Sequence, residues 1–385
     1  MASRLQARVS AELRALESGQ LLRTLRPPSG IDLSSNDYLG LAGHPLLRER
    51  MIDAIAREGC GSTGSRLLRG HRDCFDAVER TFAGWKGTER ALYFSSGYLA
   101  NLAVLTAFPQ RGDVILSDRL NHASLRDGVR LSRARRIVFP HNDVQALERL
   151  LQPTRGPGQV FVVTESLFSM DGDMPPLQQY GRLCREAGAL LIVDEAHAVG
   201  IYGARGSGLI EESGAGSDVF VSIDTAGKAL GVGGAFVAGP AWAIEYLLQR
   251  ARPFVFSTAP PPAVAAALEA SLAIVAAEPD RRLQLRERAR HLRGRLAGAG
   301  VEVPDGRSQI VPVVIGATPR TIEVAQRLQS AGFDVRPIRP PTVPAGTARL
   351  RVSVNVTLPD AVLDQFADAL AAALEGSTQC HADSS

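Results

Sequence analysis

Short apolar runs alternate with amphipathic stretches through the middle of the chain. ALYFSSG, DVILSD, RIVFPH, QVFVVTES, ALLIVDEAH, DVFVSID and GGAFVAG lie between Ala91 and Gly239. Near-continuous apolar runs of this length mark strands buried on both faces. The segments between them, such as YLANLAVLTAF and PLQQYGRLCREAG, carry the period of a helix. From about Leu46 to Arg250 the alternation predicts an α/β fold, a mostly parallel sheet with helices on both faces. Before it, Leu5, Val9, Leu13 and Leu16 fall at helical spacing in MASRLQARVSAELRAL. After it, RPFVFSTAPPPA is a break, because consecutive prolines cannot continue a helix. Pro262 to about Leu296 then reads as one long helix. QIVPVVIG, TIEVAQRLQSAG, FDVRPIRPP, ARLRVSVN and LPDAVLDQFADALAAAL predict strand, helix, two strands and helix, with Leu363, Phe366, Leu370 and Leu374 on one face of the last. The expected organisation is an N-terminal helical segment (1–39), a large domain (40–277), a small C-terminal α+β domain (278–376) and a polar tail (377–385).

Composition narrows the class of partner. Apolar residues make up 45% of 385 and charged residues 22%, an ordinary globular balance. The formal charge is only +3 and the arginines are interspersed with acids, which describes a solvated surface and not a nucleic-acid patch. Cys60, Cys74, Cys184 and Cys380 have no metal-ligand spacing and suit reduced thiols. No run approaches a membrane span, and the N-terminus lacks the apolar core of a signal peptide. A soluble, cytoplasmic protein with no nucleic-acid or membrane partner and no metal is expected.

One residue type departs from the average. Of 43 basic residues only Lys86 and Lys228 are lysines, and Lys228 sits in the glycine-rich SIDTAGKALGVGGAFVAG. Arginine is always protonated, whereas lysine can become a neutral nucleophile. Lys228 therefore reads either as a required amine or as a surface charge in a loop.

Several polar groups fall where strands end, the place at which open parallel sheets bind ligands. Ser96, Gly97 and Tyr98 open a helix, whose free N–H groups favour an anion. His122 follows DVILSD. LLIVDEAHAVG ends a strand in Asp194, with Glu195 and His197 beyond. A DEAH-box helicase would need a phosphate loop, GxxxxGK[ST], which is missing; zinc would need HExxH or paired cysteines. A strand-end carboxylate, a lysine on the following strand–loop and a phosphate-binding helix start instead meet the three needs of pyridoxal 5′-phosphate (PLP).

The chain resembles the α-oxoamine synthases over nearly its whole length. The resemblance is carried by SSNDYLGL, GSTGSRLLRG, FSSGYLAN, NHASLRDG, HNDVQAL, VVTESLFSMDGDMPPL, VDEAHAVGIYG, TAGKALG, FSTAPPP and RPPTVPAGTARLRVS, in that order. It implies an aspartate-aminotransferase-like fold (PLP fold type I). RPPTVPAGTARLR looks most like members that condense L-alanine with a pimeloyl thioester in biotin synthesis. Sister enzymes use glycine or serine and another acyl-CoA.

Carried over, Lys228 matches the Schiff-base lysine and Asp194 the partner of the pyridine nitrogen. His197 matches the histidine near the phenolic oxygen, and His122 the one stacked on the ring. Ser169 matches another cofactor contact, and Gly97, Tyr98 and Thr225 phosphate-side or ring-edge positions. Thr258 matches a residue reaching the phosphate from the second subunit of a homodimer. On the substrate side, Arg351 matches the arginine that holds the amino-acid carboxylate, Thr342 lies in the substrate loop, and Arg23 corresponds to an arginine that meets the acyl substrate. The acyl carrier implied is coenzyme A or acyl carrier protein. The block reading DEAHA here is DDAHG in some relatives, and the stretch before SSNDYLGL is shorter.

Overall fold

The computed structural model describes residues 3–152 and 158–375; the expected tail and Cys380 lie outside the described residues. Along the chain come helix α1 (Arg4–Ser18), strand β1 (Ile31–Asp32), and helices α2 (Pro45–Glu58) and α3 (Asp73–Lys86). The alternating stretch follows as β2 (Arg90–Phe94), α4 (Gly97–Ala107), β3 (Val114–Asp118), α5 (Ala123–Leu131), β4 (Arg135–Phe139) and α6 (Val144–Leu151). It continues with β5 (Val160–Glu165), α7 (Leu177–Ala187), β6 (Leu190–Asp194), α8 (Leu209–Ser213), β7 (Val219–Thr225) and β8 (Ala235–Gly239). Then come α9 (Ala241–Arg250), α10 (Arg252–Val255), α11 (Pro262–Ala277), α12 (Pro279–Gly298), β9 (Ile310–Gly316) and α13 (Thr318–Ser330). The short strands β10 (Phe333–Asp334) and β11 (Pro337–Ile338), then β12 (Ala348–Ser353) and α14 (Asp360–Glu375), complete the described chain.

The larger of two compact units comprises Asn36–Ser169 and Asp173–Leu285. All seven apolar runs named above are strands of its sheet, in the order β2-β8-β7-β6-β5-β3-β4. Only β8 runs against its neighbours; the other pairings are parallel. Alternate side chains feed opposite faces. Leu92, Ile115, Val163, Ile192, Ile223 and Val237 form one core with Ala100 and Val104 of α4, Leu125 of α5 and Ile244 of α9. On the other face Phe236 stacks on Phe82 of α3, with ring centroids 4.0 Å apart. Each fully buried aliphatic or phenyl group stabilises the fold by ~1.5–3 kcal/mol. Left-handed glycines stop α3 and α7, at Gly87 (φ 76°) and Gly188 (φ 66°), where a Cβ would be strained.

The smaller unit comprises Met1–Ser35, Met170–Gly172 and Arg286–Ser385. Its three-stranded antiparallel sheet has the order β11-β12-β9, and β1 pairs in parallel with β10. The backbone N–H of Ile31 donates to Gly332 and that of Ser353 to Leu33, which is how the N-terminal segment comes to share a unit with the C-terminal residues. Helix α1 forms where the apolar spacing predicts it, with Ser3 capping the N–H of Gln6, yet none of its residues is buried. A correction concerns the stretch from Pro262 to Leu296, which is two helices and not one. Proline disfavours helical geometry in the residue before it, so Glu278 departs to φ −118°, ψ 64° and Pro279 opens α12. Among the described residues no single helix is long and apolar enough to cross a membrane.

Candidate active site

The parallel strands deliver polar residues to one edge of the large sheet. Glu165 ends β5, Asp194 ends β6 and Thr225 ends β7, while His122 follows β3. Strand order reverses between β3 and β5, and such a reversal opens a crevice in an open sheet.

Lys228 lies in the turn after β7, which is closed by Ala226 N–H to the Gly234 carbonyl and Gly231 N–H to the carbonyl of Lys228 itself. Its Nζ is 3.1 Å from Nε2 of His197. Nδ1 of that ring is 2.8 Å from the Tyr38 hydroxyl, which also donates to Asn36 Oδ1 at 2.9 Å. With the tyrosine proton on Asn36, His197 donates through Nδ1 and presents the lone pair of Nε2 to the lysine.

Asp194 is 5% exposed. Oδ1 accepts from the Ala196 N–H (2.9 Å) and Oδ2 from Asn101 Nδ2 (2.7 Å). The same Asn101 nitrogen donates to Ser124 Oγ at 2.8 Å, and that hydroxyl is 2.7 Å from His122 Nδ1. Burial, reinforced by Lys228, lowers the His122 pKa against the pull of Asp194, so the ring is held neutral. Glu165 accepts the His122 N–H at 2.5 Å. Burial and then Asp194 raise its pKa well above the ordinary carboxylate value.

Two glycines admit side chains that a Cβ would displace. A Cβ on Gly97 would fall 2.4 Å from Thr225 Oγ1, so the backbone at the start of α4 and this hydroxyl converge. Ser96 caps the helix by accepting from Leu99, while Tyr98 donates to Asp127 at 2.5 Å. Gly208, at φ 128°, leaves room for the carboxylate of Glu195, 2.0 Å from where its Cβ would be.

That carboxylate belongs to a buried ionic cluster. Lys86 Nζ lies 2.6 Å from Glu195 Oε2 and 2.6 Å from Asp224 Oδ1, and donates to the Ser207 carbonyl at 2.7 Å. Burial opposes the charge on Lys86, but Asp224 and Glu195 outweigh it and raise its pKa. Burial pushes Asp224 up to about 6 against the pull of Lys86. The second lysine is thus a locked structural ammonium. Its partners are the residues next to Asp194 and Thr225 in sequence.

The larger unit therefore brings Lys228, His197, Asp194, His122, Gly97 and Thr225 together, and Tyr98 stands beside Gly97. Ser169 is the half-buried last residue of that unit's first segment. Thr258 is exposed, and no hydrogen bond joins it to another described side chain. Arg351, Arg23 and Thr342 belong to the smaller unit. Arg351 is buried in β12 and donates to Ser353 Oγ at 2.8 Å, and Arg23 donates to Thr342 Oγ1 at 3.1 Å. Sequence reasoning did not single out Tyr38, Asn101, Ser124 or Glu165, although each lies in a quoted block. Asn101 comes one helical turn after Gly97, a spacing that would have put both on the ligand side of α4.

The residues present fit PLP. Among the described residues Asp194 has no cationic partner, and a buried carboxylate held only by neutral donors is complementary to a protonated ring nitrogen. The amine of Lys228 and the backbone cradle at Gly97 supply the other two requirements.

The model for "Aminotransferase class I and II" matches residues 28–370. An 8-amino-7-oxononanoate synthase from Geobacter sulfurreducens is 44% identical, covering 94% of this chain and 97% of its own. The enzyme of that name from Anaeromyxobacter dehalogenans is 47% identical, covering 95% of each chain. A serine palmitoyltransferase from S. paucimobilis, solved with a PLP–myriocin adduct, superposes with a TM-score of 0.89 at 28% identity, over 96% of this chain and 97% of that one. The chain belongs to the class I and II aminotransferase family of PLP enzymes, and within it to the α-oxoamine synthases.

Proposed function

We propose that this chain condenses L-alanine with a pimeloyl thioester, releasing carbon dioxide and the carrier thiol and yielding 8-amino-7-oxononanoate for biotin synthesis. The observation that carries the reading is an amine, Lys228, presented at the same sheet edge as a buried carboxylate, Asp194, that has no cationic partner among the described residues. Relatives 44–47% identical over 94–95% of the chain support the substrates.

When bound, PLP supplies an aldehyde that takes up an amine and a ring that accepts electrons. Lys228 would hold the cofactor's aldehyde, and its amine would remove and return the proton at the alanine Cα. Asp194 supplies the negative charge that keeps the ring nitrogen protonated. His197, steered by Tyr38, hydrogen-bonds at the lysine and phenolic-oxygen side. Neutral His122 offers a flat, uncharged face to the ring, and the α4 N-terminus at Gly97 and Tyr98, with Thr225, receives the phosphate. Ser169 is assigned a further cofactor contact. Arg351 is assigned the alanine carboxylate, which a guanidinium grips through two parallel hydrogen bonds; Thr342 and Arg23 are assigned to the acyl substrate. The active form is a cytoplasmic homodimer in which exposed Thr258 serves the neighbouring copy's phosphate. The acyl carrier is coenzyme A or acyl carrier protein.

A sister reaction with glycine or serine is the second reading, supported by the fold likeness to serine palmitoyltransferase at 28% identity. Mass spectrometry of the products from alanine, glycine and serine, each with pimeloyl-CoA and pimeloyl acyl carrier protein, separates the two. The amino ketone of alanine should predominate; a product only from glycine or serine would exclude the first reading.

A further inference from the structure

His141 opens the block HNDVQAL, two residues beyond the end of β4. Strand β4 runs parallel to β3, so His141 stands at the same sheet edge as the segment leading from Asp118 to His122. Both ring nitrogens face a carboxylate: Nδ1 is 2.9 Å from Asp118 Oδ1, and Nε2 is 2.7 Å from Asp173 Oδ2. A neutral imidazole has one N–H and an ionised carboxylate only accepts, so satisfying both acids requires the imidazolium. Burial lowers the His141 pKa, but Asp118 and Asp173, the charged groups that face the ring, outweigh it and bring it to about 9. Of the titratable groups nearby, Asp143 caps α6 through the Ala146 N–H, and burial, then Asp118, raise the pKa of Tyr180 on α7.

Each acid holds a segment that leads into the site. Asp118 Oδ1 also accepts the Leu120 N–H (2.8 Å) and Oδ2 the Asn142 N–H (3.0 Å), which fixes the turn ending at His122. Asp173 Oδ2 also accepts from Asn142 Nδ2 (2.8 Å), and the Asp173 carbonyl accepts the Phe168 N–H (3.0 Å), closing the turn that holds Ser169. The Phe168 ring stands perpendicular to the imidazole, with centroids 4.4 Å apart. Asn142 takes φ 53°, the left-handed region that asparagine tolerates better than most residues, and there its N–H and its amide serve the two acids. We propose that His141 is a positioning residue of the active site: as an imidazolium it clamps the His122 segment to the Ser169 turn and so holds both cofactor contacts in place. The proposal goes beyond the reaction put forward above and rests on its assignment of His122 and Ser169 to the cofactor.

The test uses the PLP-loaded full chain with His141→Gln, which keeps one donor without the charge, and Asp173→Asn, which keeps an acceptor without the charge. Hydrogen exchange read by mass spectrometry should quicken in peptides spanning 119–123 and 166–173, with β6 and β7 unaltered. The PLP dissociation constant from absorbance titration should rise on the order of tenfold for the loss of one charge-assisted hydrogen bond. Losing the second ring proton has the same effect, so the parent and His141→Gln should converge as pH rises through about 9. Nitrogen-15 resonances of the parent should show both ring nitrogens of His141 protonated at neutral pH. A neutral His141 at that pH would overturn the proposal. A lowered melting temperature with exchange and PLP affinity unaltered would make the bridge a purely structural one and overturn it also. Faster exchange with unchanged PLP affinity would overturn it too, by separating the two segments from the cofactor. Should His141→Gln fail to fold, Asp173→Asn, the milder change, decides by the same readouts. None of these measurements involves a substrate, so a product other than the amino ketone of alanine would refute the proposed reaction and leave the clamp standing.

Discussion

Lys228 Nζ and His197 Nε2 are 3.1 Å apart, and the far side of the imidazole is fixed by the Tyr38 hydroxyl at 2.8 Å. The only other lysine, Lys86, has its ammonium occupied by Glu195, Asp224 and the Ser207 carbonyl. An amine so engaged has no lone pair to offer a carbonyl. Borohydride treatment of the PLP-loaded protein should therefore fix the cofactor to the peptide containing Lys228. Label on the Lys86 peptide would contradict the assignment.

Asp194→Asn keeps volume and removes charge. Asn101 Oδ1 has no hydrogen-bond partner among the described residues, so a turned Asn101 amide can still meet the new side chain. We expect a folded protein with turnover reduced on the order of ~10²–10⁴-fold. Circular dichroism and steady-state kinetics check this; activity near the parent level would remove Asp194 from its role.

Tyr38→Phe deprives His197 Nδ1 of its 2.8 Å partner. A hydrogen bond of this kind is worth ~0.5–1.5 kcal/mol, so turnover should fall by up to about tenfold, with a change in the pH profile. Unchanged kinetics at every pH would show that the tyrosine does not steer the ring.

Lys86→Met should destabilise without touching the cofactor. It leaves Glu195 and Asp224 buried and unpaired, a loss of ~3–5 kcal/mol. Because Asp224 already titrates at about 6, protonation relieves part of the damage below that pH. Denaturation of the variant should show a smaller deficit at pH 5 than at pH 8. A deficit independent of pH would mean that repulsion between the two carboxylates is not its source.

His141 bridges Asp118 (2.9 Å) and Asp173 (2.7 Å). Burial alone would lower its pKa, but the two carboxylates raise it to about 9. A free histidine titrates at ~6.5, so the folded state binds the proton more tightly. That contribution to stability is complete below pH ~6.5 and disappears as pH rises through about 9. His141→Asn should lower the melting temperature at pH 6 and converge on the parent near pH 10. Parallel curves across the range would sink the idea.

The sequence by itself determined the seven strands, because a strand buried on both faces must be apolar throughout and such runs are visible without coordinates. It also marked Lys228, since a lysine kept in a chain of arginines points to amine chemistry. Chain order and motif spacing placed Asp194, His197 and His122 at strand ends. What only the tertiary structure decided were pairings between residues distant in sequence. Tyr38 meets His197 across 159 positions, Asn101 meets Asp194 across 93, and Arg23 meets Thr342 across 319. Short-range patterns report which face of an element is apolar; they carry no record of which polar groups converge once the sheet is assembled. The same limit explains why the sequence left Lys86 without a role. Only burial against Glu195 and Asp224 distinguishes an ammonium held as a structural charge from an amine set beside an imidazole.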